Sequence, residues 1–394
     1  MNASLSKWFV VLVAVLFTIW PASAQEPIVP ENCTISVQQQ EKILVCVPTV
    51  WNGDLVLYAH GYIPPQEPLQ LPIDELTMED GTFVPSILMQ LGYAFATTSY
   101  STNGYAVREG AEDLNALVLQ FKEQYSQTRH VFITGGSEGG LITTMLIEKY
   151  PENYTGGLAM CGPLAGMPYQ VKYFGDFRVV FDYFFPYIFD FGFADVPENA
   201  WLNWENYQLD IASAIANNPG LTDQLFNVVK VAKDSDDAGM NSAVEAAQKI
   251  LAYSILGYND MKSKAGGNPY GNCWTWYWGS ENDWRLNMGV ERVRASWRAK
   301  RFVSKYYETT GKLEKPLVTL HTTDDPIVPY RHELIYLAKV LKNGSFENFV
   351  AIPAFNYGHC TFTTEQVMGA FAILVWKSTG EVPVGFLTYL EMMQ

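Results

Sequence analysis

The run His130-Val-Phe-Ile-Thr-Gly-Gly-Ser137-Glu-Gly-Gly140, continued by Leu141 to Lys149, constrains this chain more than any other stretch. Its apolar, β-branched start reads as a strand and the spacing after Leu141 reads as a helix, so Gly135-Gly-Ser137-Glu-Gly139 must turn sharply between them. Glycine at 135, 136, 139 and 140 leaves the room on both sides of Ser137 that such a turn needs. The surrounding pattern agrees. Residues 42–48, 54–60, 92–100 and 155–161 read as strands and 106–125 and 141–150 as helices, an alternation that predicts a mostly parallel sheet covered on both faces.

The alternation breaks near Gly162 and resumes at Pro316, with strands expected at 317–321 and 348–353 and helices at 331–341 and 364–376. Three parts follow: a signal peptide over 1–24, an α/β core over 25–162 and 316–394, and an inserted, mostly helical cap over 163–315. The cap is rich in aromatic side chains. Tyr173 to Phe193 holds eleven Phe and Tyr in 21 positions, and Trp201, Trp204, Trp274, Trp276, Trp278 and Trp284 follow. Helices are expected within it at 204–217, 222–233 and 241–256.

The first residues carry Lys7, an apolar run of 13 residues from Trp8 to Trp20, and Pro-Ala-Ser-Ala24. That run is shorter than the roughly 20 residues needed to span a bilayer. It reads as a secretory signal cleaved after Ala24, so the protein is expected to be secreted or periplasmic, without stable membrane insertion. The chain's formal charge of −15 becomes one unit more negative when Lys7 leaves with the signal. Such a surface repels nucleic acid and anionic lipid headgroups. Five cysteines in an exported chain allow two internal disulfides. Cys33 and Cys46 form the best pair, and the sequence leaves Cys161, Cys273 and Cys360 open. No Cys/His cluster has metal-ligand spacing, so neither a structural zinc nor an organic cofactor is called for.

A serine hydroxyl needs a histidine base, itself oriented by a carboxylate, before it becomes a useful nucleophile at neutral pH. Both partners stand after late strands, in the order serine, acid, histidine. The strand at 317–321 runs into Thr322-Thr-Asp324-Asp325-Pro-Ile-Val-Pro329, and the strand at 348–353 runs into Asn356-Tyr-Gly-His359-Cys360. Asp325 is preferred for its Asp-x-x-Val-Pro turn, with Asp324 as the alternative. His359 is the candidate base, because His130 lies at the amino end of its strand, His321 before the acid and His332 on the following helix. Stabilising an oxyanion also takes backbone amides, here those of Glu138 and of Tyr62, which follows a strand ending in His60-Gly61. His60 reads as a support for that loop.

From His60-Gly61 through Gly135-Gly-Ser137-Glu-Gly139 and Asp325 to His359, the chain resembles secreted members of the α/β-hydrolase superfamily that carry a large cap. The resemblance covers roughly 40–162 and 316–380, and it implies a serine hydrolase working through an acyl-enzyme. The elbow is similar to those of prolyl-oligopeptidase and aminopeptidase branches and of some esterases. Tannase and feruloyl-esterase relatives join a cysteine directly before the serine to one directly after the histidine. Here Cys360 follows His359 but Gly136 precedes Ser137, so that bridge cannot form. Hormone-sensitive-lipase relatives carry His-Gly-Gly-Gly, where this chain has His60-Gly-Tyr-Ile63.

The leading expectation is a carboxylic ester hydrolase whose aromatic cap encloses a hydrophobic group over Ser137. A serine exopeptidase is the alternative, with Glu198, Glu205, Asp210 or Asp223 of the cap holding a substrate ammonium. A carbon-carbon hydrolase for diketones and a non-catalytic binding module are further alternatives. The expected partner is a small ester or a short peptide.

Overall fold

The computed structural model describes residues 31–77, 81, 83–236 and 240–383. The signal peptide expected at 1–24 lies outside them. Eight strands, β1 (Cys33–Gln38), β2 (Glu41–Cys46), β3 (Asp54–Ala59), β4 (Ala94–Thr98), β5 (His130–Gly136), β6 (Gly156–Met160), β7 (Leu317–Asp324) and β8 (Phe349–Tyr357), form one sheet. Its order is β1-β2-β4-β3-β5-β6-β7-β8. β1 and β2 pair antiparallel, as do β2 and β4, and every later pairing is parallel.

Strand parity divides the core in two. Leu55, Leu57, Val131 and Ile133 face one way, against α2 (Val107–Gln124) and α3 (Glu138–Lys149). Val56, Tyr58 and Phe132 face the other way, toward Leu88 of α1 (Val84–Gln90) and Phe371 and Leu374 of the closing helix at Thr364–Thr379. Both faces are therefore dry, which is why β3 is buried along its whole length. The short α1, carrying Pro85 in its first turn, escapes a periodicity reading.

Between β6 and β7 the described chain makes α4 (Met167–Phe184), α5 (Trp204–Asn217), α6 (Pro219–Val229), α7 (Asn241–Ile255), α8 (Tyr258–Ala265), α9 (Asp283–Gly289) and α10 (Trp297–Tyr306). Then come α11 (Arg331–Lys342) and α12 (Thr364–Thr379). Helix α6 starts three residues before the expected 222, because Pro219 fits the first helical turn, where an amide has no acceptor to lose. The aromatic run lies mostly on α4, where Tyr173, Phe174, Phe177 and Phe181 are buried against α6 and α7.

Arg178 is the exception in that apolar cluster, only 1% exposed. Its Nε donates to Asp182 Oδ2 at 2.7 Å, another guanidinium nitrogen donates to the Phe191 carbonyl at 3.1 Å, and its plane lies 3.9 Å from the centre of the Phe189 ring. A buried guanidinium tolerates this setting only while its carboxylate remains. Asp182→Ala is expected to lower stability in urea unfolding by about 3–5 kcal/mol. Asp182→Asn, which keeps an acceptor for the Nε–H, should cost less.

Candidate active site

Ser137 sits between β5 and α3 at φ 53°, a region side-chain-bearing residues rarely occupy. Two glycines make the turn possible. A Cβ on Gly135 would stand 2.5 Å from the Gly139 carbonyl oxygen, and one on Gly139 would collide with the Ala59 carbonyl. The turn aims Ser137 Oγ at His359, whose Nε2 is 2.9 Å away. His359 Nδ1 lies 2.7 Å from Asp325 Oδ2, and Asp325 Oδ1 accepts the amides of Ile327 and Val328 at 2.8 and 2.9 Å. The alternative acid, Asp324, ends β7 exposed, while Asp325 is buried.

Burial alone would raise the Asp325 pKa, but the His359 charge and the His321 and His359 hydrogen bonds outweigh it and hold it at about 2. His321 is the partner that the sequence pattern passes over. Its Nε2 faces the Val328 carbonyl at 2.8 Å and Asp325 Oδ2 at 3.5 Å, and its Nδ1 faces Glu333 Oε1 at 3.2 Å. With acceptors at both ring nitrogens, both carry protons, so His321 is an imidazolium. Burial opposes that charge, yet Asp325 and Glu333 prevail and raise its pKa to about 10. Nearby His332 is the reverse case. Its Nδ1 accepts the Ala165 amide at 3.0 Å and its Nε2 donates to Gln170 Oε1 at 2.8 Å, so it is neutral, and burial lowers its pKa.

Of the two amides expected to serve an oxyanion, that of Glu138 opens α3, where no helical acceptor exists for it. On the opposite loop the Gly61 amide is taken by Glu75, at 2.8 Å to Oε2. The Tyr62 amide has no acceptor among the described residues. The Tyr62 ring is wedged against Tyr105 and Tyr253, centroids 5.0 and 5.2 Å away. His60 stays behind this loop, stacked on Tyr100 at 3.6 Å, and burial lowers its pKa to about 4. The Glu138 side chain is buried as well. It accepts the Ala106 amide at 2.9 Å, and burial raises its pKa to about 8 against the pull of Lys264.

A cavity of about 350 Å³ begins at Ser137 and His359. Its walls differ from the expected ones. None of the residues 173–193 borders it, and among the described residues of the insertion only Tyr253 of α7 does. The rest come from the sheet and its α1/α12 face, among them Phe95, Thr134, Met160, Leu88 and Val367. Glu75 adds a carboxyl that accepts from Tyr58 Oη, its pKa raised by partial desolvation. Glu198, Glu205, Asp210 and Asp223 are exposed and do not border the cavity.

Two disulfides are present, Cys33–Cys46 across β1 and β2 and Cys161–Cys360, while Cys273 is free and exposed. The second ties the residue after His359 to the end of β6, the strand beside the serine's own. A Cβ on Gly136 would lie 4.0 Å from Cys360 Sγ, so this bridge occupies space next to the position where tannase-like chains carry their cysteine. Strand adjacency explains the pairing: Gly136 pairs with Met160, one residue before Cys161. Cys161, His359 and Cys360 also cluster closely enough to hold a metal, but joined sulfurs offer no thiolate.

The strand order, the strand-turn-helix around Ser137 and the late strands carrying Asp325 and His359 define an α/β-hydrolase fold. No protein-family model matches the sequence, and no curated protein does. Among solved structures the chain is similar to feruloyl esterase B from Aspergillus oryzae, over 88% of this chain and 80% of that one, at 14% identity and TM-score 0.46. It is similar to an esterase from Pyrococcus furiosus over 91% and 89%, at 14% and 0.42. It is also similar to an acylaminoacyl peptidase in complex with Z-Gly-Gly-Phe-chloromethyl ketone over 89% of this chain, at 11% and 0.44, and spans 41% of that longer protein. Likenesses this distant add nothing to the reading of the site, which rests on its own geometry.

The charge on His321 can be read from stability. Its folded pKa lies above the ordinary 6.5, so its contribution is complete below that value and is lost as pH rises through about 10. His321→Gln is expected to cost about 3–5 kcal/mol in urea unfolding near pH 6. The gap from the parent protein should narrow above about pH 10, and an equal gap at both pH values would mean that His321 is neutral.

Proposed function

We propose that this protein is an exported serine hydrolase that cleaves carboxylic esters with an apolar acyl group. Ser137 attacks the carbonyl while His359 takes its proton, Asp325 steadies the resulting imidazolium, and the amides of Glu138 and Tyr62 receive the oxyanion. The intermediate then collapses: the ester C–O bond breaks and the alcohol leaves with the proton held by His359. The freed His359 deprotonates a water that releases the acyl group from Ser137 as the acid. The observation that carries the reading is the hydrogen-bonded chain Ser137–His359–Asp325 opening directly onto an apolar cavity. Two disulfides favour an oxidising compartment, and among the described residues no helix is long and apolar enough to cross a membrane.

The cavity favours an ester over a peptide. A peptidase that grips a substrate ammonium needs an ionised carboxylate at the site, and the four acids considered on the insertion lie elsewhere, exposed. Glu75 does border the cavity, but partial desolvation favours its neutral form and the Gly61 amide and Tyr58 hydroxyl already occupy it. An acyl chain asks only for the apolar wall.

Para-nitrophenyl esters from acetate to palmitate, run beside amino-acyl and prolyl nitroanilides, test this. Ester turnover is expected, falling about 10⁴-fold or more in Ser137→Ala. Anilide turnover lost in the same variant would move the protein to the peptidases. Val84→Trp, which fills the cavity from α1, should shift the preferred ester to shorter chains while hydrolysis of acetate persists.

Cys161→Ala with Cys360→Ala frees the loop that carries His359. This variant is expected to lose about 2–5 kcal/mol of stability. Its kcat for para-nitrophenyl acetate should fall, because the missing restraint acts on the loop that carries the base, and KM for longer esters should change as well, since Cys161 and Cys360 also border the cavity.

A further inference from the structure

The net charge of −15 conceals a local reversal. Seven of the chain's 26 basic residues lie within residues 281–305, against three acids, Glu281, Asp283 and Glu291. They are not tucked away: Arg285, Arg294, Arg298, Lys300, Arg301 and Lys305 are all exposed. On α10 the small Ala299 and Val303 turn inward, which leaves the cations facing out.

Next to them stands a row of bare indoles. In the loop after Asn272 the side chains alternate: Tyr277 is buried, while Trp274 is 100% exposed, Trp276 51% and Trp278 66%. Trp284 on α9, 69% exposed, stands 6.2 Å from Trp276 with the rings tilted by 54°. Soluble proteins rarely leave so many large rings in water on one surface without a use for them.

The tryptophan loop and the start of the basic segment are tied together. Arg292 holds the tryptophan loop from beneath, donating to the carbonyls of Asn272 and Thr275 at 3.1 and 2.6 Å and to that of Asn287 at 2.9 Å. The Asn272 amide donates to the Val293 carbonyl at 3.1 Å, and the Val293 amide returns to Asn272 Oδ1 at 2.7 Å. The indoles are thus held out by a braced loop.

The chemistry of the face selects its occupant. The rings protrude without a facing wall and are tilted, so they offer a stiff polymer neither a cleft nor a flat stacking platform. A second copy of the chain would bring cation against cation. A soft anionic phase suits both features, because indoles favour the headgroup level of a bilayer and Arg and Lys pair with lipid phosphates. We infer that this Trp–Arg face docks the protein on an anionic lipid surface, with the indoles among the headgroups and no part of the described chain crossing the bilayer. The acidic remainder opposes contact in other orientations, but screening over about 8 Å at physiological salt lets the local patch act on its own. The inference is independent of the chemistry at Ser137.

Co-sedimentation with vesicles tests it, comparing phosphatidylcholine alone with an equal mixture of phosphatidylcholine and phosphatidylglycerol. Binding is expected to the mixed vesicles at least about tenfold above the neutral ones, with a blue shift of tryptophan fluorescence and loss at high salt. The combined Trp274→Ala, Trp276→Ala and Trp278→Ala variant and, separately, Arg294→Glu with Arg298→Glu should each weaken binding about tenfold or more. Both alter exposed side chains, so circular dichroism and hydrolysis of a soluble short ester should stay unchanged. Equal binding to both vesicle types, no binding to either, or variants that bind like the parent would overturn the proposal. So would a dimer in sedimentation equilibrium that the tryptophan variant breaks, or retention on an acidic polysaccharide in place of vesicles.

Discussion

The first turn of α3 can lie against the ends of β3 and β6 only because residues 139 and 140 have no side chains. A Cβ on Gly139 meets the Ala59 carbonyl, and one on Gly140 would stand 2.8 Å from the Met160 oxygen. That approach forces Ser137 into its left-handed backbone conformation and points the Glu138 amide out of the helix start. It also brings the elbow beside the loop that begins at His60, where Glu75 takes the Gly61 amide and leaves that of Tyr62 open. Nucleophile and both candidate oxyanion donors therefore depend on one backbone-to-backbone contact.

The acid is held by a different logic. Asp325 is buried, so every one of its lone pairs needs a partner, and it finds two amides of its own turn, His359 and the charged His321. The same turn enters the core of the helical insertion through Ile327 and Val328. Helix α4 fastens it there, with Tyr173 Oη donating to the Pro326 carbonyl at 2.6 Å and Gln170 to that of Ile327 at 2.7 Å. The two buried histidines take opposite charge states for a local reason. His321 has a carboxylate at each end, whereas His332 has an amide donor and a side-chain amide. Insertion and acid turn are thereby one packed unit, and a change in α4 reaches His359 through Asp325.

The mostly parallel sheet was legible because its central strands, such as β3, β4 and β5, are buried on both faces and read as unbroken apolar runs. The residues around Ser137 were legible because glycine spacing carries a steric meaning. The pattern that pairs Ser137, Asp325 and His359 brings together side chains that do meet in space. What the sequence hid was relational. The Cys161–Cys360 bridge needs the neighbouring of β5 and β6, and periodicity is silent on strand order. The His321–Glu333 contact needs α11 folded back over β7. The aromatic run of α4 gave burial without saying against what: most of those rings pack in the core of the insertion with α6 and α7, and Tyr173 reaches the acid turn instead of the cavity.

Sheet parity explains where the cavity runs instead. On β5 the residues facing α1 and α12 are Phe132, Thr134 and Gly136, so side-chain volume tapers toward the edge that carries Ser137. Thr134 and Gly136 border the cavity, while fully buried Phe132 lies beyond it. Each step of two residues along a strand is about 6.6 Å, so the cavity's depth on this strand is set within one such step. The neighbouring strands supply Tyr58 and Met160 on the same face. A hollow beneath the nucleophile thus arises from one tapering strand, and the chain length it accepts is written mainly in residues of the sheet, α1 and α12, with Tyr253 as the contribution of the insertion among the described residues.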